Sequence, residues 1–129
     1  MIYTIIVKSS FFSKENSISA LLFSKALIMK KKHFIKSIFF ISDGVLNMNR
    51  FLSFTINELN LKKKWINFSK KNKVRLNVCF SAALRRGIIN IKKKINYENF
   101  EGNLGIFFKI SSLEKLSRDI QKSDRVIQF

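Results

Sequence analysis

No proline and only four glycines occur in 129 residues. That scarcity argues against a β-sandwich or barrel, whose many tight turns draw on both. A single cysteine excludes a disulfide framework and any redox pair within the chain. A single histidine excludes a metal centre built from several imidazoles. Neither a P-loop pattern nor Gly-x-Gly-x-x-Gly is present, so phosphate cradling by a known glycine motif finds no support. Long apolar runs are missing too. The opening residues 1–7 lack a basic leader and are far too short for a span, and the apolar stretch 18–29 is interrupted by Lys25. The expectation is a cytoplasmic protein without a targeting segment. Asn67-Phe68-Ser69 then matches a glycosylation acceptor only by chance.

What is present is hydrophobic and basic. Hydrophobic residues make up 47%, enough for the interior of one domain spanning 1–129. Basic residues outnumber acidic ones 25 to 8, a net charge of +17 that favours nucleic acid, anionic membrane or an acidic protein. A second cause competes. Lysine, isoleucine, phenylalanine and asparagine supply 63 residues, and their AT-rich codons would produce such a chain by compositional drift. Lysine exceeds arginine 19 to 6 and falls in separate triplets at 30–32, 62–64 and 92–94. A face shaped for phosphate would favour arginine's fork instead. Composition alone leaves the choice open.

Along the chain, residues 2–7 read as a strand buried on both faces. Asn16 or Ser17 can cap a helix running to about Lys32. Residues 34–41 form a second strand, stopped by Ser42-Asp43-Gly44. From Asn57 to Lys71, Leu61, Trp65 and Phe68 make one apolar helical stripe, with Asn72 suited to the left-handed terminating position. Val74–Cys79 alternates as a third strand, and Phe80–Gly87 is a short helix ended by glycine. The stretch 88–104 is ambiguous, and 107–110 is a candidate strand. Ser111-Ser112-Leu113-Glu114 has the capping-box pattern of a helix to about Lys122, with Leu113, Leu116 and Ile120 inward. Residues 125–129 close as a strand. This alternation is the rhythm of a parallel sheet covered on both faces, an α/β fold.

Reactive groups in such a sheet gather at the carboxyl ends of the strands. Cys79 ends the third strand and enters the following helix, where free amides and the positive dipole end favour an anion. Without further context, a lone cysteine at that place is also an ordinary core residue. Asp43 can act as a base or merely turn its loop. Arg85 and Arg86 lie about 9 Å along the short helix from its start. They offset its negative end or face a partner. His33 precedes the second strand, about 20 Å from Cys79 at the opposite sheet edge, which argues against a Cys–His pair. Trp65 reads as core. With one thiol, sulfur chemistry must run between molecules.

Three segments carry a resemblance: Ser42 to Arg50 (SDGVLNMNR), Leu76 to Gly87 (LNVCFSAALRRG) and Asp124 to Phe129 (DRVIQF). In one register over nearly the whole chain, they resemble the sulfurtransferase subunits of the DsrE/DsrF-like family. The resemblance implies a three-layer α/β/α domain with a mostly parallel sheet of four or five strands. It implies that Cys79 accepts persulfide sulfur from a TusA-like donor and relays it to a TusE-like acceptor, for 2-thiolation of the wobble uridine of tRNA. The implied assembly is a heterohexamer with TusB-like and TusC-like subunits, two copies of each. No cofactor, metal, membrane or direct tRNA contact is implied. Asp43, Arg85 and Arg86 stand as supporting candidates. The first loop, 8–14, departs from the glycine- and proline-containing loop of relatives. Two other readings compete: a basic α/β RNA-binding module with an inert buried cysteine, and a flavodoxin-like small-ligand protein.

Overall fold

Apolar runs rich in β-branched and aromatic residues become the strands of the central sheet in the computed structural model, which describes residues 1–52, 60–88, 93–95, 98–100, 102–105 and 107–129. In chain order the elements are β1 (Ile2–Val7), α1 (Lys14–Met29), β2 (Phe34–Phe40), α2 (Leu61–Asn72), β3 (Leu76–Cys79), α3 (Phe80–Arg85), β4 (Lys93–Ile95), β5 (Glu98–Phe100), β6 (Phe108–Ser111), α4 (Leu113–Gln121) and β7 (Arg125–Gln128). Short 3-10 turns cover Phe11–Ser13 and Ser42–Met48. Strands β4 and β5 pair as an antiparallel hairpin. The other five form one sheet in the order β6-β3-β2-β1-β7, and every pairing in it is parallel.

Side chains divide the sheet into two faces. On one, Phe40 meets Trp65 of α2 and Phe108 of β6, with ring centroids 5.3 and 6.3 Å apart, and Tyr3 meets Phe23 of α1. Trp65 is wholly buried, so it is core. On the other face, Ser37 donates to Asp119 of α4 at 2.8 Å, and the Thr4 and Ser123 hydroxyls lie 2.8 Å apart. Helices on both faces make three layers, as expected. The chain steps from β1 through β2 and β3 to β6, then crosses back past β1 to β7. Because right-handed crossovers in opposite directions place their helices on opposite faces, α4 lies alone beneath the sheet.

Several local expectations are corrected. Helix α1 starts at Lys14, before Asn16 and Ser17, because the preceding 3-10 turn already leads the chain into it. Ser17 is instead buried within the helix and donates to Asn47 at 3.5 Å. The Asn57 start of the second helix falls outside the described residues; among them, Asn60 caps α2 by accepting from the Lys63 amide at 3.0 Å. Asn72 stays helical, held by its own amide bond to the Phe68 carbonyl, and Lys73 takes the left-handed position with φ 54°.

The capping box expected at Ser111–Glu114 shifts by one residue, because Ser111 stays in β6; Ser112 caps α4 by accepting from the Lys115 amide at 3.3 Å, and only Leu116 of the apolar stripe is buried. Leu113 and Ile120 are 56% and 36% exposed. The sheet beneath offers hydroxyls, and the helix sits so that buried Asp119 meets Ser37 and Lys115, the latter at 2.6 Å. Burial alone would raise the Asp119 carboxyl, but the hydrogen bonds from Lys115 and Ser37 and the charge of Lys115 and Lys36 outweigh it and hold the group below its ordinary value. A depressed carboxylate contributes stability above the unfolded-state pKa and loses it as pH falls through the folded-state value. Urea titrations should therefore show the wild type losing more stability between pH 6 and about pH 3 than an Asp119→Asn variant does. Equal losses would remove Asp119 from the acid response.

Candidate active site

The carboxyl edge is organised by where the helices leave it. Strands β3 and β6 are neighbours, but α3 turns towards the loop after β2 while α4 doubles back beneath the sheet. Adjacent strands whose outgoing connections part leave a crevice between them, the topological switch point of a parallel sheet. A cavity of about 400 Å³ opens there, lined by Cys79, Phe80, Ser81, Ile110, Ser111, Ser112 and Leu113.

Cys79 is at its base. All four residues of β3 are buried, and Cys79 is 4% exposed while still lining the cavity wall. Strand register sets Cys79 opposite Ser111 and Asn77 opposite Lys109. The Ser111 hydroxyl donates to the side-chain oxygen of wholly buried Asn77 at 3.0 Å, and the Asn77 amino group donates to the Ile38 carbonyl at 3.4 Å. This polar stitch fixes the floor beneath the cysteine. The Ser81 hydroxyl lies 3.4 Å from the Cys79 sulfur. Neither Asn77, Ser81 nor Ser111 stands out in the sequence as a site residue: Asn77 and Ser111 gain their meaning from the register of β3 against β6, and Ser81 from the way the chain turns into α3 beside the sulfur.

Helix α3 holds the other rim. Gly87, with φ 69°, ends it, and the Gly87 and Ile88 amides bond back to Leu84 and Ala83 at 3.2 and 2.9 Å, a Schellman closure. Asp43 and Arg86 are brought together: two guanidinium nitrogens reach one Asp43 oxygen at 2.9 and 3.0 Å, and a third contact from Arg86 goes to the Ala82 carbonyl. The pair ties the far end of α3 to the turn after β2, while Cys79 stands at the helix's other end. Arg85 is exposed and makes no described contact. Because Asp43 is 66% exposed, the ion pair is worth little. Asp43→Asn should lower unfolding free energy by less than about 1 kcal/mol in denaturant titrations, and a larger loss would give the pair a structural weight that exposed ion pairs lack.

His33 lies at the amino end of β2, half-buried, its ring edge-on to Tyr3 at 5.4 Å, on the sheet edge away from Cys79. A larger cavity of about 490 Å³ also opens at that end, lined by Lys36, Lys73, Arg75, Lys115, Arg118 and Lys122 around Asp119. It contains charge but no thiol. Among the described residues, no cluster of three His, Cys, Asp or Glu could hold a metal ion. Among those residues, too, no helix is long and apolar enough to cross a membrane.

The model of the DsrE/DsrF-like family matches residues 1–129. The chain belongs to that family. Its relatives agree along their whole length. The chain is 44% identical over 129 residues to the Sulfurtransferase TusD of Buchnera aphidicola subsp. Acyrthosiphon pisum, covering 100% of both. It is 35% identical over 127 residues to that of Proteus mirabilis, covering 98% of this chain and 97% of the other. Among solved structures, the ychN protein from E. coli superposes with a TM-score of 0.77 over 100% of both chains, at 18% identity. That likeness speaks for the DsrE/DsrF-like fold alone, a five-stranded parallel sheet between helices.

Proposed function

We propose that this chain is a sulfurtransferase whose working group is the Cys79 thiol. The Cys79 sulfur attacks the outer sulfur of a donor persulfide, the donor's S–S bond breaks, and the donor leaves as a thiolate. Cys79 then carries a persulfide. An acceptor thiolate attacks its outer sulfur in turn, forming the acceptor persulfide and returning Cys79 as thiolate. No outside oxidant or reductant enters either step. The observation that carries this reading is the cavity at the switch point, which opens onto the one thiol of the chain. The full-length match to relatives called sulfurtransferase supports it.

The finer reading follows the family resemblance: a TusA-like donor, a TusE-like acceptor, and a relay ending in 2-thiolation of the wobble uridine of tRNA, in the cytoplasm. The chain works in a heterohexamer with TusB-like and TusC-like subunits. Exposed apolar side chains support association around the site, with Phe80 and Leu84 one helical turn apart on α3 and Leu113 across the cavity mouth, each more than half exposed. The test is mass spectrometry after incubation with a protein persulfide donor. The peptide bearing Cys79 should gain one sulfur atom, lose it to a thiol reductant, and lose it also to an acceptor protein. Absence of the adduct at Cys79 would overturn the reading.

A further inference from the structure

Two hydroxyls line the cavity together with Cys79, and their protons are not equally available. The Ser111 hydroxyl donates its proton to the Asn77 side-chain oxygen at 3.0 Å, with the Lys109 carbonyl as a second acceptor at 3.4 Å. Asn77 cannot turn to release it without also breaking the bond from its amino group to the Ile38 carbonyl. Ser111 thus keeps its proton within the strand pair. The Ser81 hydroxyl has the Cys79 sulfur as its sole partner among the described residues, at 3.4 Å, within the range for a bond to sulfur. Ser81 is exposed on the first turn of α3 and lines the same cavity as the sulfur.

We propose that Ser81 is a catalytic residue, donating its hydrogen bond to the anionic Cys79 sulfur as it forms and as it departs from an outgoing persulfide. The proposal rests on the sulfurtransferase reading and assigns that site its hydrogen-bond donor. In the open cavity, water can replace part of this bond. Once a partner covers the mouth and excludes water, the hydroxyl is the donor left beside the sulfur, and a hydrogen bond to an ion gains strength in the drier surroundings.

The experiment compares wild type, Ser81→Ala and Ser81→Thr in two assays. Alkylation of Cys79 by a small reagent is followed against pH, and single-turnover transfer is followed from a protein persulfide to an acceptor thiol. Ser81→Ala should slow transfer about tenfold, the loss of one charge-assisted hydrogen bond, and should slow alkylation by a smaller factor near neutral pH. The alkylation rates of Ser81→Ala and wild type should converge at high pH, where the sulfur is ionised in both. Ser81→Thr, which keeps the hydroxyl, should recover most of the transfer rate. Equal transfer rates for wild type and Ser81→Ala would overturn this role while leaving Cys79 as sulfur carrier. A Ser81→Ala loss that persists unchanged at high pH and is not recovered by threonine would mark a packing effect and overturn it equally. If the wild type takes no sulfur at all, it is the underlying reading that has failed.

Discussion

Replacing Cys79 by serine should abolish sulfur acceptance and leave the fold standing. The chain has no second thiol to take over, and an alkoxide cannot hold sulfur as an exchangeable persulfide. The structural cost is small because the residue caps no helix through its side chain, and its neighbour at 3.4 Å is a hydroxyl that accepts or donates to oxygen as readily as to sulfur. Exchanging sulfur for oxygen at a buried position beside a polar partner should change unfolding free energy by about 1 kcal/mol or less. The check is paired: denaturant titration for stability, and mass spectrometry of the persulfide adduct for function. A folded serine variant that still carries sulfur would move the chemistry elsewhere. A variant that unfolds would make Cys79 a packing residue first.

Placement of the cysteine was legible because it depended on local pattern. The apolar run at 2–7, the largely apolar stretch 34–40 and the alternating segment 74–79 have the composition of strands, and a residue at the end of such a segment must lie at the carboxyl edge. The strand at 108–111 was harder to read. It is short and follows an ambiguous polar stretch, yet it supplies Ile110 and Ser111 to the site. What surrounds the sulfur was not legible at all. The Asn77–Ser111 bond spans 34 residues and the Arg86–Asp43 pair 43, so each partner is chosen by strand order and not by spacing.

Helix α4 makes the same point from the opposite side. Its period marks Leu113, Leu116 and Ile120 as one stripe, but a hydrogen bond between residues 82 apart, Ser37 and Asp119, decides how the helix sits. A buried carboxylate without partners costs more than two half-exposed apolar side chains gain, so the polar contact wins. One lysine of the triplets is likewise more than solvated surface. Lys62 gives its ammonium to the carbonyls of Asn49, Arg50 and Leu52 at 3.1–3.3 Å, and burial pushes its pKa down. It thereby fastens the segment after the Ser42–Met48 turn to α2.

Gly44→Ala should be the most damaging single methyl group added to the carboxyl edge. A Cβ there would fall 2.1 Å from the Val7 carbonyl oxygen and 2.9 Å from its carbon, both backbone atoms that no rotamer change can move aside. That oxygen is also engaged, accepting from the Ile41 amide at 3.0 Å as the two strands end. The Gly44 carbonyl shares the Asn47 amino group with the Ser9 carbonyl, each at 2.9 Å, so the same turn fixes the first loop. Relieving the clash must separate β1 from the turn and break several of these bonds. The expected loss is about 3 kcal/mol, a fall in Tm of about 10 °C by calorimetry. Gly87→Ala is the informative contrast. Its φ of 69° strains any side chain, but open space surrounds the added carbon, so the cost should be about 1 kcal/mol. Sulfur transfer should separate the two further. The Gly44 turn carries Asp43 and packs against α3, so displacing it shifts the helix that begins at Cys79. Equal stability losses would mean that the turn yields freely to the added methyl group. The close approach of two backbones would then not be what demands glycine at position 44.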